Sequence, residues 1–166
     1  MFKKALLTSA FVACTAQAQV ADVPITGNVA SKCVITTDTP GVFGNPVSNK
    51  LSTLPTDGGV LPIVRYDIIE ADSYKAHITW PQSFTTSPVL NDVVNWTGDV
   101  ELAEVSVAEM ADFETNKVQW NNTTEYDLTI AGSAWFKITS VADYGFDKSF
   151  PGGQYRAAVI AECIAK

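Results

Sequence analysis

The chain has 166 residues, 46% hydrophobic and 17% charged, with a formal net charge of −7. That length and apolar content suit one domain with a sizeable core and exclude global disorder. The acid excess excludes a nucleic-acid binder, because no surplus of Lys or Arg is present to neutralise phosphates.

Residues 1–18 read as a secretory signal peptide. Lys3 and Lys4 form its positive start, Ala5–Cys14 its short apolar stretch, and Ala16-Gln17-Ala18 an A-x-A cleavage site. The apolar run is about ten residues, against the roughly 20 needed to span a bilayer, so no transmembrane segment is expected in the mature chain. A rival reading takes Phe11-Val12-Ala13-Cys14 as a lipoprotein box that would acylate Cys14, although the usual Leu is missing from its first position. Cleavage after Ala18 leaves residues 19–166 as a single domain, removes two lysines, and leaves Cys33 and Cys163 as the only thiols. In an oxidising compartment two such cysteines most simply form one disulfide.

The mature sequence alternates apolar and polar residues in short runs, the pattern of antiparallel strands. Val23, Ile25, Gly27 and Val29 alternate with Pro24, Thr26 and Asn28, and Cys33 and Ile35 keep the parity of Val29. Tyr74, Ala76, Ile78 and Trp80 share one strand face, with Lys75, His77 and Thr79 on the other. Ser106-Val107-Ala108-Glu109 fits a capping box opening a short helix near 107–113, anchored by Val105, Met110 and Phe113. The alternation of Val105 and Val107 fits a strand as well. Tyr126, Leu128 and Ile130 repeat the strand pattern, and Ala134–Val141 continues it. The last strand, Gln154–Ile164, puts Tyr155, Ala157, Val159, Ala161 and Cys163 on one face. Turn signals fall at Thr39-Pro40-Gly41, Gly44-Asn45-Pro46, Thr56-Asp57-Gly58-Gly59, Trp96-Thr97-Gly98-Asp99 and Phe150-Pro151-Gly152-Gly153. The expected fold is all-β: an immunoglobulin-like Greek-key sandwich of about eight strands.

Chemistry is sparse. His77 is the only histidine, and on its strand it lies among polar neighbours. There is no G-x-S-x-G elbow, H-E-x-x-H, C-x-x-C or EF-hand spacing, so no catalytic residue, cofactor or metal ligand is assigned. The acidic stretches Glu101–Glu104 and Asp143–Asp147 read as solvated loop charges ahead of a calcium site. Of the four tryptophans, Trp80 and Trp135 read as core. Trp96 and Trp120 border turns and stand as candidate ligand contacts of a lectin-like or adhesin-like surface.

Both ends of the chain resemble subunits of bacterial chaperone–usher fimbriae and the related spore-coat-U-like secreted proteins. The resemblance rests on the signal peptide, on Ile25-Thr26-Gly27-Asn28-Val29 leading to Cys33-Val34-Ile35, and on Val42-Phe43-Gly44. It resumes in Gly152-Gly153-Gln154-Tyr155-Arg156-Ala157-Ala158-Val159, similar to the G-x-Y-x-x-x-V closing strand of those subunits. It implies a sandwich lacking its last strand, a groove filled by a neighbour's N-terminal extension, and a periplasmic chaperone and usher as partners. It also implies passage through the periplasm to the cell surface or beyond, in a homo-oligomer or fibre. Residues 19–30 would be the donor extension, with Val23, Ile25, Gly27 and Val29 filling successive pockets; an ordinary first strand alternates in the same way. One departure stands out: many fimbrial subunits bridge their first and second strands, whereas here the second cysteine falls in the last.

Overall fold

A computed structural model describes residues 33–166, and over them the alternating runs become ten strands joined by two short 3₁₀ turns and one helical turn. The strands are β1 (Cys33–Thr39), β2 (Gly44–Val47), β3 (Lys50–Ser52), β4 (Ile63–Ile68), β5 (Tyr74–Thr79), β6 (Asn95–Val105), β7 (Val118–Trp120), β8 (Thr123–Leu128), β9 (Gly132–Asp143) and β10 (Ile160–Ala165). Every pairing is antiparallel. One sheet runs β1–β4–β9–β6, with β3 and β2 continuing the β4 side of the long β9. The other runs β10–β5–β8–β7.

The two sheets form a sandwich because each strand buries alternate residues. From β4 come Val64, Tyr66 and Ile68; from β5, Ala76 and Ile78; from β8, Tyr126 and Leu128; from β9, Ala134, Phe136 and Ile138. Phe136 sits at the centre, edge-on to Tyr66 at 5.5 Å and tilted against Tyr126 at 4.4 Å. These three aromatic side chains are the largest fully buried ones and help to fix the spacing of the layers. The order β1–β4–β9–β6 is the A-B-E-D order of an immunoglobulin sandwich, and the neighbours β5 and β10 take the places of C and F. The β7–β8 hairpin extends the second sheet on its far side. Beside β10, where such a sandwich carries strand G, no strand is present among the described residues.

Several local expectations are corrected. The helical segment exists but is shifted, a 3₁₀ turn at Ala108–Ala111 followed by α1 (Asp112–Thr115), with Met110 and Phe113 buried as its anchors. The capping box does not form. Ser106 is spent on β9, its N–H donating to Ser133 O and its Oγ accepting from Ser133 N–H. Trp96-Thr97-Gly98-Asp99 is no turn but part of β6, where Gly98 lets Trp80 and Thr139 come close; a Cβ there would stand 2.7 Å from both. Gly44-Asn45-Pro46 lies in β2, and the Asn45 amide closes the β2–β3 hairpin onto Val47 O and Lys50 O. Trp135 is on the outer face of its sheet, under the Arg65 guanidinium at 5.1 Å, because its neighbours Ala134 and Phe136 take the inward positions.

Candidate functional site

The sandwich has two lateral edges, and they are built differently. Where β6 faces β7, side chains occupy the outer backbone of β6. Leu102 N–H donates to Glu114 Oε2 at 2.8 Å, and Val100 O accepts from Lys117 Nζ and Tyr126 Oη, each at 2.9 Å. Burial, with Glu114, Asp99 and Glu101 nearby, pushes the Tyr126 hydroxyl well above the usual phenol range, so it stays a donor. Met110 and Phe113 close the interior behind this network.

Where β1 faces β10 the edge is open among the described residues. The Cys33–Cys163 disulfide, with Cα atoms 6.2 Å apart, ties the two edge strands at one end. From there the strands run in opposite directions. Cys33 and Ile35 on one rim, and Ala157, Val159, Ala161 and Cys163 on the other, point inward yet remain only half-buried. Within β10, which pairs β5 from Ile160 to Ala165, Lys166 N–H donates to Ser73 O and even-numbered residues turn their backbone toward β5; upstream, Arg156 bonds Thr85 and Thr86 in the segment after β5. The odd-numbered residues therefore present N–H and C=O to the open side. Tyr66 holds β10 in place from beneath, its buried hydroxyl directed at His77 O and Glu162 O at 3.3 and 3.2 Å.

Away from the disulfide the groove widens into a cavity of about 220 Å³, lined by Thr37, Thr39, Phe43, Ile63, Pro81 and Val159 among others. Among the described residues its wall carries no ionisable side chain. At its floor is Ser140, only 2% exposed, whose hydroxyl has no hydrogen-bond partner among the described residues. A rim of unpaired backbone beside apolar depressions is what an extended peptide needs in order to add as a strand.

Cys33 and Cys163 thus meet as expected. Val23, Ile25, Gly27 and Val29 lie outside the described residues. Trp96 packs its ring against Phe84 and Phe43, with centroids at 4.7 and 6.3 Å. Trp120 is 40% exposed on the outer face of the other sheet, edge-on to His77 at 5.4 Å. The two tryptophans therefore do not form one platform. His77 Nε2 lies 2.7 Å from Glu125 Oε2, and Lys75 Nζ the same distance from Oε1; Lys75 first, then His77, hold that carboxyl below its usual range. Among the described residues no three or more His, Cys, Asp or Glu are grouped to hold a metal ion. No helix among them is long and apolar enough to cross a membrane. Sequence reasoning missed Ser140, although a lone hydroxyl on the face of Ala134, Phe136 and Ile138 was a visible signal.

Fold and groove together define a class, an all-β sandwich of immunoglobulin-like strand order with one edge open among the described residues. Compared with protein-family models, curated proteins and solved structures, the chain gives no significant match.

Proposed function

We propose that this chain is an exported, non-enzymatic structural subunit that assembles by β-strand donation into a fimbria-like surface fibre or coat. The observation that carries this reading is the asymmetry of the sandwich edges. The β6 edge is closed by Glu114, Lys117 and Tyr126, while among the described residues the β1/β10 edge leaves apolar side chains half-covered and one backbone rim unpaired. An open rim of this kind promotes aggregation unless a strand covers it. Residues 20–29 have the alternation such a strand needs, and Pro24 suits an extension better than a central strand. A periplasmic chaperone and an usher are the partners that the resemblance adds.

The test is to refold residues 19–166 with and without a synthetic peptide of residues 20–29. Strand donation predicts that the peptide suppresses aggregation and raises the thermal midpoint in proportion to its concentration. A chain that is unaffected by the peptide and stays monomeric at every concentration would overturn the reading. A second reading, a surface-binding module, rests on Trp120, which stands exposed beside Val118 on an outer sheet face. It predicts that a saccharide panel quenches or shifts tryptophan fluorescence, and that Trp120→Ala abolishes the response.

A further inference from the structure

Three loops are knit together at the pole of the sandwich opposite the disulfide. β9 runs from Gly132, level with Ile68 and Cys33, to Asp143, level with Lys50 and Asn95, so the residues just past Asp143 stand at the far pole. There Tyr144 N–H donates to Asn49 O at 2.8 Å, Asn49 Nδ2 to Gly145 O at 3.0 Å, and Phe150 N–H to Ser48 O at 2.8 Å. Asn91 N–H donates to Tyr144 Oη at 2.9 Å, and Lys148 is ion-paired with Asp92. Phe150 stacks on Tyr144, and edge-on contacts through Tyr155 and Phe84 continue this platform to Phe43 at the groove cavity. Each of the three loops nevertheless holds apolar side chains out in solvent: Val47 on the first, Val89 and Val93 on the second, and Phe146, 89% exposed, on the third. Gly145 and Asp147 have positive φ, 94° and 60°, so the chain turns on both sides of Phe146. A small polar residue suits such a turn as well, and at that exposure the ring adds little to the fold.

Resting on the strand-donation reading, we propose that this pole seats the disulfide pole of a second copy of the chain, with Phe146 as its anchor and Ile69 of the incoming copy as the apolar side chain opposite. Only residues 30–32 separate Val29 from Cys33. A 20–29 segment seated in one copy's groove therefore keeps its own Cys33 within about 13 Å of that groove, at 3.3 Å per residue. An open fibre needs unlike ends to meet, because two disulfide poles brought together would close a pair and stop growth. The donor's disulfide pole then arrives at the acceptor's far pole, where the three loops stand. It brings Ile69, 60% exposed just past the end of β4. Tethered so closely, the two poles need only a small apolar contact, since the donated strand already raises their local concentration. Such a contact would turn a three-residue link into a joint of fixed angle.

The test compares residues 19–166 with Phe146→Ser, Ile69→Ser and an equal mixture of the two variants, following self-association by sedimentation. Circular dichroism checks each fold, and titration of the 20–29 peptide checks each groove. Phe146→Ser should weaken association about tenfold and Ile69→Ser about three- to tenfold, with peptide affinity unchanged and no loss of the difference at high salt. The mixture should form dimers more readily than either variant alone, because an intact Phe146 pole then meets an intact Ile69 pole. Phe146→Ser chains that associate like the parent would overturn the docking pole while leaving strand donation standing. A loss with Phe146→Ser but none with Ile69→Ser, and no gain on mixing, would mean that like poles meet, against the head-to-tail assignment. A changed affinity for the peptide would put Phe146 in the groove contact and end its role at the pole. A parent chain that never associates and ignores the peptide would overturn both this pole contact and strand donation.

Discussion

The carboxylate of Glu114 accepts a 2.8 Å hydrogen bond from the backbone N–H of Leu102, and so occupies the edge of β6 that a further strand would otherwise use. The same residue holds Lys117 at 2.5 Å, and Lys117 in turn bonds Val100 O. A three-residue helical offset thus closes one side of the sandwich without a strand.

Glu114→Ala should therefore lower stability by about 1–2 kcal/mol, because it leaves Leu102 N–H without its acceptor and the Lys117 ammonium with only Val100 O and no close carboxylate. Glu114→Gln keeps an acceptor oxygen and should cost less. Urea unfolding checks both: the midpoint falls in that order with little change in slope. An alanine variant as stable as the parent would mean that water replaces the carboxylate at no cost.

The disulfide joins residues 130 apart in sequence and is the one covalent tie across the open edge. The loop-entropy relation puts its contribution at about 5 kcal/mol, less any strain in the native state. Cys33→Ser/Cys163→Ser should lose most of that and unfold at a markedly lower denaturant concentration. The loss should shrink when peptide 20–29 is present, since a bound strand would tie the same two edges together.

The strand faces at 74–79, 126–128 and 160–163 were legible in the sequence because alternation over a buried face is a local property. The expected last strand from Gln154, however, begins only at Ile160, and 154–159 keep the alternation of burial without being a strand. The helical turn was legible through Met110 and Phe113, but its start was not. Ser106 had two possible uses, and the choice depended on Ser133, which lies distant in sequence. Gly98 reads as a turn residue until Trp80 is seen lying over it. The outward place of Trp135 was implied by the parity of Ala134 and Phe136, yet its bulk argued for the core until Arg65 was found above it. For the groove, the apolar faces of both rims could be read in advance. That the two rims face each other with no strand between them among the described residues is a property of sheet order, which alternation does not encode.

Acid should weaken the fold through identifiable carboxylates. The Ser133 hydroxyl, then Arg65, hold Asp67 below its usual range, and Lys75, then His77, do the same for Glu125. A carboxyl whose folded pKa is depressed contributes stability that is present above its unfolded pKa and lost as pH falls through the folded value. Stability should thus be flat from neutrality down to about pH 5 with respect to these groups, then decline below about pH 4. Asp67→Asn should flatten part of that decline, as read from thermal midpoints across the pH series. An Asn variant with an unchanged acid limb would assign the decline to other groups.

Ser140 gives the sharpest test of the groove floor. Its backbone bonds go to Thr53, with Ser140 N–H donating to Thr53 Oγ1 at 2.9 Å and Ser140 O accepting from Thr53 N–H at 3.0 Å, so replacing the side chain leaves the ladder intact. The buried hydroxyl has given up water without gaining a partner. Ser140→Ala should therefore be neutral or stabilising by up to about 1 kcal/mol, the reverse of the usual cost of truncating a buried residue. Ser140→Val fills the floor of the cavity with two methyl groups. It should leave the free chain folded but weaken binding of the 20–29 peptide about tenfold, because an inserted side chain loses its depth. Titrating the peptide against the parent and both variants separates the two effects. Should Ser140→Ala instead destabilise the free chain by more than about 1 kcal/mol, the hydroxyl has a partner in solution, and the floor is not open to an incoming strand.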